Sequence, residues 1–104
     1  MGIIDLNLDA GESMAALRDG SEEKLYQLVS SVNVACGGHA GDAESMAAAV
    51  ELAKKYHLRV GAHPSFPDRQ SFGRVAIEIK HGDLVDSLSA QIQNLRAVCA
   101  LKKV

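Results

Sequence analysis

The sequence predicts an α/β fold of parallel strands joined by crossover helices, and three observations carry that expectation. Apolar and polar residues alternate strictly from Ile4 to Asp9, the period-two signature of a strand. Two further strand-like segments, Ser31 to Ala35 and Leu58 to Ala62, flank a stretch of helical periodicity, so the element order is βαβαβ, then a long loop, then a helix. Each strand-like segment also ends in residues that active sites use: Asp5 to Glu12, Asn33 to Asp42, and Gly61-Ala62-His63-Pro64 continuing to Phe72-Gly73-Arg74. In a parallel sheet or barrel all C-terminal strand ends face one rim, so these distant groups are expected to converge.

The first strand is expected over Ile3 to Asp9, with Asp5, Asn7 and Asp9 on one face. Gly11 ends it. A short helix starts at Ser21, its N-cap, with Glu22 and Glu23 in the first turn and Leu25, Leu28 and Val29 on the apolar side. After the second strand, Cys36-Gly37-Gly38-His39-Ala40-Gly41 is a glycine-rich turn, and Asp42 is placed to cap a helix from Ala43 to about Tyr56. Met46, Ala49, Val50 and Ala53 give that helix its core stripe. The third strand leads into a loop holding both prolines, Pro64 and Pro67. A last helix follows from about Gly82 to Lys102, with Leu84, Leu88, Ile92, Leu95 and Cys99 along one side.

At 104 residues the chain is one domain at most, residues 1–104, with a modest core. Net charge is −2 and the basic residues are scattered, which argues against nucleic acid as a partner. No apolar run approaches a bilayer span, and Asp5 and Asp9 stand where a signal peptide needs an apolar middle, so a cytoplasmic protein without membrane contact is expected. Cys36 and Cys99 lack metal-type or disulfide-framework spacing and read as free, mostly buried thiols.

Three polar side chains in a row on one face of a buried strand are costly unless a cavity, a cation or a substrate compensates them. His39 and His63 follow the second and third strands in turns, where geometry rather than packing decides placement. His57 and His81, at helix edges, read as exposed and incidental. Carboxylates and histidines together have two uses that spacing cannot separate. They can hold a divalent metal, through Asp5, Asp9, His39 and His63, although no local motif such as HExxH is present. They can equally act without metal, a carboxylate or histidine serving as general base while Asn7, Asn33 and the amides of Gly37 and Gly38 donate to a developing oxyanion. Gly37, Gly38 and Gly41 before a helix N-terminus also suit an anion cradle, or serve only the tight turn. Arg74, with Arg69 as a second candidate, is placed to clamp a carboxylate or phosphate; a salt bridge to Asp68 or Asp42 is the alternative.

With those residues in view, the segments DLNLDAGE (Asp5 to Glu12), SVNVACGGHAGD (Ser31 to Asp42) and GAHPSFPDRQSFGR (Gly61 to Arg74) resemble the LamB/YcsF family in order and spacing over essentially the whole chain. The resemblance implies a distorted β/α barrel of the glycoside hydrolase/deacetylase type, of which this chain is the N-terminal part. It implies ATP-dependent opening of the lactam 5-oxoproline to L-glutamate by 5-oxoprolinase, in which this chain is the A subunit, the B and C subunits are its partners, and ATP is met through the complex. By position it places catalytic groups at Asp5, Asn7, Asp9, His39 and His63, and substrate-binding groups at Glu12, Asn33, Gly37, Gly38, Asp42 and Arg74. In the expected roles, His63 or Asp9 is the base toward water, Asp5 and His39 orient it, the glycine-turn amides hold the oxyanion, and Arg74 binds the substrate carboxylate.

Leu8 and Ala10 depart from the family's usual DLNADLGE and alter only apolar positions. A later KPHGALYN-type block has no counterpart, so the chain is expected to hold less than half of a barrel of about 250 residues. Two other readings stay open: a non-catalytic assembly element that pairs its sheet edges with a second copy or a complementary chain, and a metal-dependent, deacetylase-like hydrolase.

Overall fold

A computed structural model describes residues 3–104. Three parallel strands, β1 (Asn7–Ala10), β2 (Ser31–Ala35) and β3 (Arg59–His63), lie side by side in sequence order. The helices are α1 (Met14–Arg18), α2 (Ser21–Tyr26), α3 (Ala43–Lys55) and α4 (His81–Lys102). Sequence order without reversal means that successive right-handed crossovers wind in one direction and leave their helices on one side of the sheet, as in a β/α barrel.

Register makes the two faces chemically opposite. Leu8, Val32 and Val60 are aligned, as are Ala10, Val34 and Ala62; this is the face toward the helices. Asp9, Asn33 and Gly61 form the intervening row, with Asn7, Ser31 and Arg59 below it, on the face away from the helices. Val32, Val34 and Ala10 pack in one core with Met46, Ala49, Val50 and Ala53 of α3, Tyr26 of α2 and Leu95 of α4. Each fully buried valine there stabilises the fold by about 1.5–3 kcal/mol.

Several expectations are corrected. Regular strand geometry begins at Asn7 and not at Ile3; Ile3, Ile4 and Leu6 are exposed, with no helix packed beneath them. The first βα connection contains an additional helix, α1, capped by Ser13, whose Oγ accepts from Ala16 N at 3.3 Å. Gly20, with φ +83°, and not Ser21, occupies the N-cap of α2. Leu25 and Leu28 point to solvent, while Glu22 and Tyr26 are buried, because Glu22 Oε2 accepts from Tyr26 Oη at 2.8 Å and from Gly11 N at 3.1 Å. On α4 the buried side chains are Gln91 and Leu95, and Ile92 faces out.

The expectation for α3 agrees with the structure throughout. Asp42 accepts from Ser45 N at 2.8 Å while Ser45 Oγ accepts from Asp42 N at 2.8 Å, a reciprocal capping box, and the Met46, Ala49, Val50 and Ala53 stripe is buried. Cys36 is a buried free thiol that donates to Val34 O, and burial raises its pKa; Cys99 is partly buried. Among the described residues no helix is long and apolar enough to cross a membrane.

Candidate active site

At the C-terminal ends of the strands, Asp9, Glu12, His39, His63, Phe72 and Arg74 line a small polar cavity of about 260 Å³. Each arrives by a different local device. Asp9 sits one residue before the end of β1, its carboxylate steadied by Asn33 Nδ2, which donates to Asp9 Oδ1 at 3.4 Å and to Asn7 Oδ1 at 2.9 Å. The chain then turns at Gly11, φ +71°, where an added Cβ would meet Ala49 Cβ and Val34 Cγ1 at 3.4 Å, and Glu12 follows. Buried Glu22, holding Gly11 N from behind, fixes that turn.

His39 projects from the glycine-rich turn after β2 and is buried. Its Nε2 lies 2.9 Å from Glu12 Oε2 and its Nδ1 3.0 Å from Ser65 Oγ. His63 ends β3, and its ring stands 4.6 Å from that of His39 between centroids, tilted by 51°. The two imidazoles differ in their bonding. His63 Nδ1 has no hydrogen-bond partner although it is shielded from solvent, and the nearest carboxylate oxygen, Asp9 Oδ1, is 3.6 Å away, beyond hydrogen-bonding range. The Phe72-Gly73-Arg74 turn closes over the pair: Phe72 sets its ring edge-on to His39 at 4.8 Å, and a Cβ on Gly73 would come within 3.1 Å of His39 Cβ. Both residues take positive φ, +57° and +72°, the first a strained value for an aromatic residue. Arg74 lies against the Phe72 ring with its guanidinium carbon 5.8 Å from the centroid.

Chemically, this is an imidazole with a free, shielded nitrogen beside an exposed carboxylate, backed by an imidazole–carboxylate pair and faced by a guanidinium. Such a set can move a proton at His63 or Asp9 and can bind an anionic group at Arg74.

Other expected site residues lie elsewhere. Asp5 is at the opposite end of the sheet, where its carboxylate accepts from Ser30 Oγ; four residues separate it from Asp9, roughly 13 Å of strand at about 3.3 Å per residue. Gly37, Gly38 and Asp42 line a different hollow, about 640 Å³ and larger than the polar cavity, between the glycine turn, α3 and α4. That hollow brings together no pair of histidines, and its charged groups are already engaged. Asp42 caps α3, and hydrogen bonding from Ser45 N holds its carboxyl below the usual range. Arg69 donates to the carbonyls of Gly37 and Gly41 rather than to Asp68 or Asp42. The anion-cradle reading therefore gives way to a structural one: Gly37 N donates to Ala40 O, and a Cβ on Gly38 would lie 2.5 Å from Ser65 Oγ and 2.7 Å from Gln91 Oε1. Glycine is there because another chain segment passes against it.

Ser65, Gln91 and Glu22 are the residues that sequence reasoning does not select. Their contacts join segments 11 to 26 residues apart, and the one local signal is the i, i+4 spacing of Glu22 and Tyr26.

Residues 4–104 match the LamB/YcsF family. The A subunit of 5-oxoprolinase from Haemophilus influenzae (strain PittEE) is 47% identical over 96 residues, covering 92% of this chain and 37% of that protein. Its counterpart of the same name from Halalkalibacterium halodurans is 42% identical over 101 residues, 97% of this chain and 39% of that one. The crystal structure of the lactam utilization protein from Thermus thermophilus superposes with a TM-score of 0.88 at 39% identity, covering 99% of this chain and 42% of its own. The chain thus spans about two-fifths of the length of these relatives. With that correspondence in both sequence and three-stranded architecture, the chain belongs to the LamB/YcsF family.

Proposed function

We propose that this chain carries the proton-transfer rim of the A subunit of a cytoplasmic, ATP-dependent 5-oxoprolinase, which acts with B and C subunits to hydrolyse the lactam of 5-oxoproline to L-glutamate. The observation that supports it most directly is the meeting of Asp9, Glu12, His39, His63 and Arg74 at one sheet end, in a chain whose relatives are named for the A subunit of 5-oxoprolinase.

A lactam is a weak electrophile with a poor leaving group. ATP, met through the complex, would supply the activation by transferring its terminal phosphoryl group to the lactam oxygen, with ADP as the leaving group. This chain's residues do the rest. Arg74 pairs with the substrate carboxylate and sets the ring's orientation. His63, through its free Nδ1, or Asp9 takes a proton from water as its oxygen bonds to the lactam carbon; the ring C–N bond then breaks, the nitrogen takes up a proton, and a second water cleaves the resulting acyl phosphate to glutamate and inorganic phosphate. Glu12 and His39 brace the His63 ring. The experiment is His63→Ala in the assembled complex with the B and C subunits, following glutamate release. Turnover should fall about 100-fold or more, and near-normal turnover would remove His63 from the mechanism.

A second reading, a hydrolase using a divalent metal, is favoured by a separate observation. Glu12, His39 and His63 each present one ligand atom, all within 4.8 Å of one another, and one His63 nitrogen is unpartnered. Two imidazoles and one carboxylate fit zinc, which would there polarise a carbonyl and acidify a water. Glu12 replaces Asp5 and Asp9 in that donor set. Elemental analysis of the purified protein decides between the readings: a stoichiometric metal lost on His39→Ala supports the second, and a metal-free, active complex excludes it.

A further inference from the structure

His39 is the most tightly held ionisable side chain of the site, with both ring nitrogens engaged and only 4% of the side chain exposed. An ionised Glu12 can only accept, so the 2.9 Å contact requires the proton on His39 Nε2. That leaves Nδ1 as acceptor when the ring is neutral and as donor when it is cationic. The group facing Nδ1 can serve either state, because a serine hydroxyl is both donor and acceptor. Ser65 Oγ, 3.0 Å from Nδ1, has a second acceptor within reach, Phe66 O at 3.1 Å. With the ring neutral, the Ser65 proton goes to Nδ1. With the ring cationic, Nδ1–H donates to Oγ and the Ser65 proton turns to Phe66 O.

Ser65 in turn is fixed by a residue from the far end of the chain. The Gln91 carboxamide brackets its peptide group: Oε1 accepts from Ser65 N at 3.0 Å and Nε2 donates to Ser65 O at 2.8 Å, with Nε2 also donating to Ser87 Oγ at 3.1 Å. Gln91 is 7% exposed on an otherwise apolar contact of α4, and Gly38 has no side chain to obstruct this approach. A buried carboxamide is costly unless its hydrogen bonds are made, and here they are spent on one serine.

We infer that Ser65 and Gln91 are positioning residues: Gln91 fixes the Ser65 peptide, and the Ser65 hydroxyl holds the His39 ring with Nε2–H on Glu12 in both charge states, which braces the adjoining His63 ring. Their role rests on the reading that the imidazole pair is the reactive centre, but it is measurable without turnover.

The test is histidine ¹⁵N NMR on the 104-residue chain at fixed pH, with thermal melting as the control for folding. In the parent chain His39 should carry a proton on Nε2 and show an Nδ1 resonance shifted by its hydrogen bond to Ser65 Oγ. Ser65→Ala should shift the His39 Nδ1 resonance by removing its hydrogen-bond partner, and Ser65→Thr should restore it. Gln91→Leu should move His39 in the same direction, and the double variant should add little to Ser65→Ala, since Gln91 acts through Ser65. A folded Ser65→Ala chain with unchanged His39 ¹⁵N shifts would overturn the inference, whatever the lactam activity of the complex. A fully additive double variant would likewise remove Gln91 from the relay.

Discussion

The two ends of the parallel sheet carry the same kinds of residue and use them differently. At the N-terminal end, the Asp5 carboxylate and Ser30 hydroxyl bond each other, and Ser30 Oγ also contacts Leu6 N and O at 3.2 and 3.1 Å, a local tie between two chain segments. At the C-terminal end, Asp9, Glu12, His39 and His63 come from three segments and face one cavity, leaving one imidazole nitrogen unpaired. Asp5 and Asp9 share a strand face in the alternation pattern, yet only one reaches the rim. Period two identifies the face; position along the strand decides whether a residue meets its counterparts from neighbouring strands.

The comparison breaks first on activity. Asp5→Ala in the assembled complex should leave turnover within about threefold, against the loss of two orders of magnitude or more expected for His63→Ala. Equal losses for the two variants would mean that both ends of the sheet serve the reaction.

A smaller effect separates glycines at the rim from those outside it. Gly38→Ala forces a methyl into the space of Ser65 Oγ and Gln91 Oε1 and should destabilise the chain by about 1–3 kcal/mol in urea unfolding. Gly82→Ala, with nothing within 4 Å of the added carbon, should be neutral or stabilising by up to about 1 kcal/mol. If the two unfold alike, the tight packing around Ser65 is not present in solution.

Next comes the support behind Gly11. Tyr26→Phe removes one of the two donors to the buried Glu22 carboxylate, and a cost of about 1–3 kcal/mol is expected in the same assay. No change in the urea midpoint would show that this buried bond adds no net stability.

The smallest effect concerns acid. Asp42 has its pKa lowered chiefly by the hydrogen bond from Ser45 N, so its contribution is fully present above the unfolded carboxylate value of about 4 and is lost as pH falls through the lower folded value. Asp42→Ala should lower the melting temperature at pH 7 and flatten its fall between about pH 4 and 2. An unaltered acid limb would assign that fall to other carboxylates.

Legibility in the sequence follows the range of the interactions. The cap and buried stripe of helix α3 are readable because each rests on residues close together in the chain; the Ser45 half of its capping box is seen only in the structure. The polar residues at the strand ends are readable as types, and His39, His63, Asp9, Glu12 and Arg74 do gather. What escapes depends on contacts between distant segments. Glu22 reads as a solvent-facing acid in a first turn until Gly11 N and Tyr26 Oη are brought to it. Gln91 lies outside the apolar stripe read for α4, and only the contact with Ser65 gives it a role. Gly38 suggests a ligand because nothing local says that the Ser65 loop and Gln91 fill the space, while Gly37 serves the turn itself with φ +100°.

The sheet face turned away from the helices has one more implication. Asn7, Asp9, Asn33 and Arg59 occupy aligned positions on a surface that supports none of the apolar packing, so exchanges among them alter charge and solvation while the scaffold beneath is spared. Specificity in such an architecture can drift by recolouring one surface, with the folding problem already solved on the other.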